Sequence, residues 1–183
     1  MQHSPSQARP AVHRHFHRIA WLAVALATCV IVFGAFVRLS NAGLSCPDWP
    51  TCYGRATWPT TTAEVNHPTA LDVRPLEVSK AWREQVHRHA AAILGTLVLV
   101  LTLLVVRRRR FGIAQVVVAS ALVASGIPLY MHGYIPAALT VAALGELILL
   151  YAAFRWNNDD LARVTALTLM VIVFQALLGK WTV

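Results

Sequence analysis

The sequence predicts an all-α, polytopic transmembrane helix bundle with about five spans, and three observations carry that reading. The 183 residues are 57% hydrophobic and only 13% charged, whereas soluble domains carry roughly 25% charged residues. The apolar residues gather into runs long enough to cross a hydrocarbon core about 30 Å thick, at residues 19–37, 84–106, 111–130, 134–154 and 161–179. The basic residues stand at the ends of those runs. A net charge of +8 would otherwise suggest a nucleic-acid partner. Charge placed at the ends of apolar runs is instead a topology signal, so nucleic acid is excluded and the lipid bilayer is the expected surrounding.

Residues 1–18 form a basic arm ending in HRHFHR (13–18), read as a cytoplasmic anchor in preference to a metal-binding tract. The run 19–37 is uncharged and no small-residue cleavage site follows it before Arg38, so it is a retained span and not a signal peptide. Cys29 within it is read as a small buried hydrophobe. Residues 38–83 make a long polar loop rich in Pro, Trp and Thr. The second span, 84–106, opens with a polar turn and is stopped by Arg107–Arg110. Short connectors at 131–133 and 155–160 join the remaining spans, so that residues 19–183 form one transmembrane helical domain. Glu146 falls mid-span, where a charge is costly, and is expected to face the bundle, protonated or hydrogen-bonded.

If every run crosses once, the arm, the arginine block and the Arg155–Arg163 connector share one side. The positive-inside rule makes that side the cytoplasm, and the expected host is the cell inner (plasma) membrane. The 38–83 loop, His132 and the C-terminus then face outward. Cys46 and Cys52 lie in that loop, in an oxidising compartment, and can form a disulfide. Their C-x5-C spacing differs from the C-x-x-C of thioredoxin-like sites, which favours a structural staple; a reducible bridge that regulates access stays open.

The chemistry concentrates in Trp82–Gly95, WREQVHRHAAAILG. Glu84 and His87 are three residues apart and share a helix face. A neutral imidazole is a good axial ligand for heme iron, and a nearby carboxylate can hydrogen-bond it or move protons. The alternative is an interfacial pair reaching into water beside Arg83 and Arg88. His89, two residues from His87, points to another face and is not assigned to iron. His132 stands at the outward end of the third span and is read as interfacial.

Three blocks, GAFVRLSNAGLSCPDWPTCYG (34–54), REQVHRHAAAILG (83–95) and QALLGKWTV (175–183), closely resemble heme A synthase. The resemblance implies a membrane oxidoreductase that oxidises a methyl group of heme O to give heme A for terminal oxidases. It implies two similar four-helix halves, with heme b as cofactor in one and the substrate heme O held by the N-terminal half. Carried onto this chain, Glu84 matches the catalytic glutamate, His87 the first heme-iron ligand, and Cys46 and Cys52 the extracytoplasmic cysteine pair. Arg38 or Arg88 could pair with heme propionates, on charge alone. Heme O synthase, a membrane electron donor and a second copy of the chain are the implied partners. Two departures stand out. The third and fourth spans read as an insertion ahead of the QALLG block, and the chain stops where the family continues to the paired histidine, as an N-terminal portion would. The alternatives are a non-catalytic heme-binding or delivery protein, and a structural or transporter bundle.

Overall fold

The computed structural model describes residues 11–67, 69–156 and 161–181. Among them, α1 (Ala11–Leu39), α2 (Thr69–Val73), α3 (Val78–Val106), α4 (Gly112–Met131), α5 (Ile135–Arg155) and α6 (Leu161–Trp181) follow in order, with a 3₁₀ turn at Thr62–Glu64. No strand occurs among the described residues. Five helices, all but the short α2, are long and apolar enough to span a membrane. This is a multi-pass membrane protein.

The helices run longer than the apolar runs that announce them. α1 begins at Ala11, so residues 11–18 of the expected arm are helical; nothing between Pro10 and Ile19 breaks a helix. Residues 1–10, 157–160 and 182–183 lie outside the described residues. α1 ends in a Schellman turn. Asn41 adopts φ 51°, the amide of Ala42 donates to Val37 O and that of Asn41 to Arg38 O. α3 starts at Val78, six residues before the expected span, because Ser79–Arg83 is polar but has no helix breaker after Pro75. Hydropathy marks where lipid begins, and helices extend beyond it.

α3, α6, α5 and α4 form a ring in which each helix packs on the next, and α1 lies outside it against α3. The most intimate pair is the α4–α5 hairpin. A Cβ at Gly145 would lie 2.6 Å from Ala119 O, so only glycine permits that approach, as small residues do between membrane helices. α3 and α6 share a buried polar contact: Thr102 Oγ1 donates to Val98 O at 2.8 Å and to Thr165 O at 3.1 Å. Because α1 is covered on one side only, Cys29 is exposed and not buried as expected. Glu146 is partly buried on α5, and its Oε1 has no hydrogen-bond partner.

The two ends of the bundle differ in chemistry. Arg107–Arg110 close α3, and Arg109 lies 5.5 Å over the ring of Trp156 at the end of α5. At the other end, the segment between α1 and α3 folds into a cap and reaches α4, where Trp49 meets Tyr130 edge to face at 6.3 Å. That cap has its own small core of Cys46, Cys52, Tyr53, Ala70 and Ala81, backed by Trp58, Val65, Leu71 and Leu76. The expected polar loop is therefore a folded element.

Candidate functional site

The cap is organised by one hairpin. Cys46 and Cys52 form a disulfide across a sequence separation of 6, which realises the pairing expected from the sequence. Inside it, the Asp48 carboxylate accepts from the Gly54 amide at 2.8 Å, from the Tyr53 amide and from the Thr51 hydroxyl. One aspartate thus satisfies the turn that the disulfide closes. The Tyr53 hydroxyl donates to the carbonyls of Arg74 and Pro75 at 3.2 and 3.1 Å. That bond ties the hairpin to the approach of α3.

The first turns of α3 receive this hairpin on a single face. Cys46 Sγ approaches Ala81 O at 3.8 Å, and Gln85 Nε2 donates to Ala56 O at 2.8 Å and Pro50 O at 3.3 Å. Arg88 Nη1 donates to Asp48 O and Thr51 O, each at 2.8 Å. Ala81, Glu84, Gln85 and Arg88 recur at three- and four-residue steps, so they share that face. Glu84 is buried at 4% exposure. Its Oε2 accepts from the Cys46 amide at 2.8 Å, and its Oε1 from Arg88 Nη2. Both carboxylate oxygens are engaged. A buried carboxylate survives only with such partners, and here they come from 4 and 38 residues away.

His87 looks elsewhere. Its ring lies against α1, and a Cβ at Gly34 would stand 2.7 Å from its Cε1 and 3.1 Å from its Nε2. The absence of a side chain at Gly34 therefore makes room for the imidazole. Phe33 lies 6.3 Å away, centroid to centroid. His87 Nδ1 is buried with no hydrogen-bond partner. Leaving such a nitrogen unpaired costs about 1–3 kcal/mol. Glu84 and His87 are thus a turn apart on α3, as expected, but their side chains serve different surfaces: the carboxylate the hairpin, the imidazole the α1–α3 seam.

The remaining expected residues separate. Arg88, read as a propionate contact, is spent on Glu84 and the two hairpin carbonyls, and serves to clamp the cap. Arg38 is exposed at the end of α1 and makes no side-chain hydrogen bond among the described residues. His89 Nδ1 pairs with Gln85 O at 2.7 Å, away from His87. His132 is exposed beyond the end of α4. Sequence reasoning misses Gly34, Gln85 and Arg83. Arg83 is one turn before His87 on the same face of α3; its guanidinium lies 5.3 Å over the Phe36 ring and 5.8 Å over that of Trp82. The signal for it was its i, i+4 spacing from His87.

Residues 17–129 match the family model for cytochrome oxidase assembly proteins (COX15-CtaA). The chain belongs to the cytochrome oxidase assembly protein family. The family match includes most of α1, the cap, α3 and nearly all of α4, so almost all of the third span, read above as part of an insertion, lies inside the matched residues. The chain is also 32% identical over 174 residues to the heme A synthase of Shewanella oneidensis, a match covering 84% of this chain and 52% of that relative. It thus spans about half the length of the curated relative that it matches. No solved structure matches it.

Proposed function

We propose that this chain is the substrate-holding portion of a heme A synthase-like oxidoreductase, in which His87 ligates the iron of heme O and Glu84 serves oxidation of a methyl group to give heme A. The observation that carries the reading is the His87 imidazole, half-buried in the α1–α3 seam with its Nδ1 buried and unpartnered, one turn from an ion-paired glutamate. Its surroundings suit a flat apolar macrocycle: Phe33 flanks the imidazole, and Gly34, having no side chain, lets the imidazole lie close against α1. A bound heme supplies the iron centre for oxidative chemistry. Heme b, the implied cofactor, supplies electron transfer and is assigned no residue here.

The chain's own groups divide the work. His87 fixes the macrocycle against α1. The hairpin, pinned by Arg88 and Gln85, covers the Glu84 carboxylate and keeps it from water. The Cys46 amide and Arg88 orient Glu84, whose carboxylate takes a proton or steadies positive charge at the reacting carbon. In this reading the cap end faces outward and the arginine-rich end faces the cytoplasm of the inner membrane.

A second reading, a heme carrier without catalysis, is favoured by the full engagement of both Glu84 oxygens, which suits a structural role. Glu84→Gln separates the two. Expressed in cells that make heme O, with pigments extracted and resolved by chromatography, the enzyme loses heme A while keeping bound heme O. The carrier shows heme O with and without the substitution and no heme A in either case.

A further inference from the structure

We propose that Arg83 is the carboxylate-recognising residue of the His87 site, the cation that reads the acidic side arms of a flat macrocycle held there. The inference rests on the reading of His87 as the iron ligand. Arg83 and His87 are four residues apart on α3, so they project from one face, about 6 Å apart along the axis. The two are joined by an aromatic wall: Phe33 lies 6.3 Å from the His87 ring, 6.0 Å from Phe36 and 6.3 Å from Trp82. The Arg83 guanidinium lies over both Phe36 and Trp82. A guanidinium stacked on rings is held in place with its N–H edge directed outward, and that edge matches a carboxylate in a fork.

What sets Arg83 apart is that it has no anion. Its Nε is buried without a hydrogen-bond partner, and it makes no salt bridge among the described residues. The other cations of α3's first turns are committed: Lys80 to Glu77 at 2.7 Å, and Arg88 to Glu84 and the hairpin. A half-buried guanidinium beside an apolar seam is costly to leave unpaired. Ligand carboxylates at the rim of a macrocycle centred on His87 would supply the missing charge. The site then reads a molecule at two points, metal at His87 and acid at Arg83, with the aromatic wall between.

The test uses the full chain, purified in detergent and titrated with ferric protoheme and with its dimethyl ester, which keeps the iron but removes both acids. Binding is followed by the Soret band. The proposal predicts at least about tenfold tighter binding of the free acid by the wild type. Arg83→Gln should weaken the free acid by about that factor and leave the ester unchanged, so the preference disappears; Arg83→Lys should restore part of it. Equal affinity of the wild-type chain for acid and ester overturns the proposal without any variant and leaves Arg83 an interfacial anchor. An acid-over-ester preference that persists in Arg83→Gln overturns it too. His87→Ala tests the underlying reading separately: loss of the imidazole-ligated spectrum with both probes supports it, and an unchanged spectrum with both overturns it together with the Arg83 assignment.

Discussion

Substituting Gly34 by alanine places a methyl group against the group on which the proposed chemistry depends. The added carbon would sit 2.7 Å from His87 Cε1 and 3.1 Å from Nε2, against an optimal separation of about 3.5–4.0 Å between carbon atoms. Something must yield by close to 1 Å. If the imidazole and α1 hold their places, overpacking costs about 1–3 kcal/mol, from which the better helix propensity of alanine recovers about 1 kcal/mol. The net loss of stability is then about 0–2 kcal/mol. If the imidazole swings aside, stability is kept but Nε2 leaves the seam, and heme affinity should fall at least about tenfold, equivalent to 1.4 kcal/mol. Both quantities are read on one preparation, by thermal unfolding in detergent and by heme titration. Gly179→Ala is the control, because nothing lies within 4 Å of a Cβ there; it should change neither heme affinity nor, beyond a slight gain, stability. A Gly34→Ala protein indistinguishable from Gly179→Ala in both readouts would refute the placement of His87 against α1.

Three further outcomes are expected. Replacing Cys52 by alanine opens a short covalent loop and should cost about 2 kcal/mol by the chain-entropy estimate, seen as earlier melting and faster proteolysis between residues 46 and 58. Arg88→Met leaves buried Glu84 and two hairpin carbonyls without their donor and should destabilise by about 3–5 kcal/mol; adding Glu84→Gln should recover part of that, whereas Arg108→Gln on the exposed turn should stay within about 0.5 kcal/mol of wild type. Burial pushes the Tyr53 phenol above its usual value, against a smaller lowering by Arg74. Because the folded value is the higher one, its contribution is whole below about pH 10 and is lost as pH rises through the raised value. Ultraviolet titration should therefore show one late-ionising tyrosine that is missing in Tyr53→Phe.

The spans were legible because lipid imposes a long apolar run on each helix, and five such runs are plain in the sequence. Helix ends were less so: polar residues such as Ser79, Lys80 and Arg83 continue α3 at no great cost, and hydropathy does not register them. The disulfide followed from two cysteines and a topology. The cap did not, because its fold depends on Asp48 gathering donors from Thr51, Tyr53 and Gly54 and on a small core assembled from distant positions. The Glu84–His87 spacing was visible as a helical face, but not that the carboxylate would turn to an amide 38 residues earlier. A charge pattern likewise cannot show which cation is already occupied, as Arg88 is by Glu84 and two hairpin carbonyls. Arg83 was passed over as one more interfacial arginine; only its unpartnered Nε, and the partners of its neighbours, distinguish it.

The central claim is that His87 holds heme iron, and resonance Raman spectroscopy of the heme-loaded full chain tests it most directly. An iron–imidazole signature present in the wild type and in His132→Ala, and absent in His87→Ala, is the predicted result. A signature that survives His87→Ala, or that disappears in His132→Ala alone, would contradict the assignment.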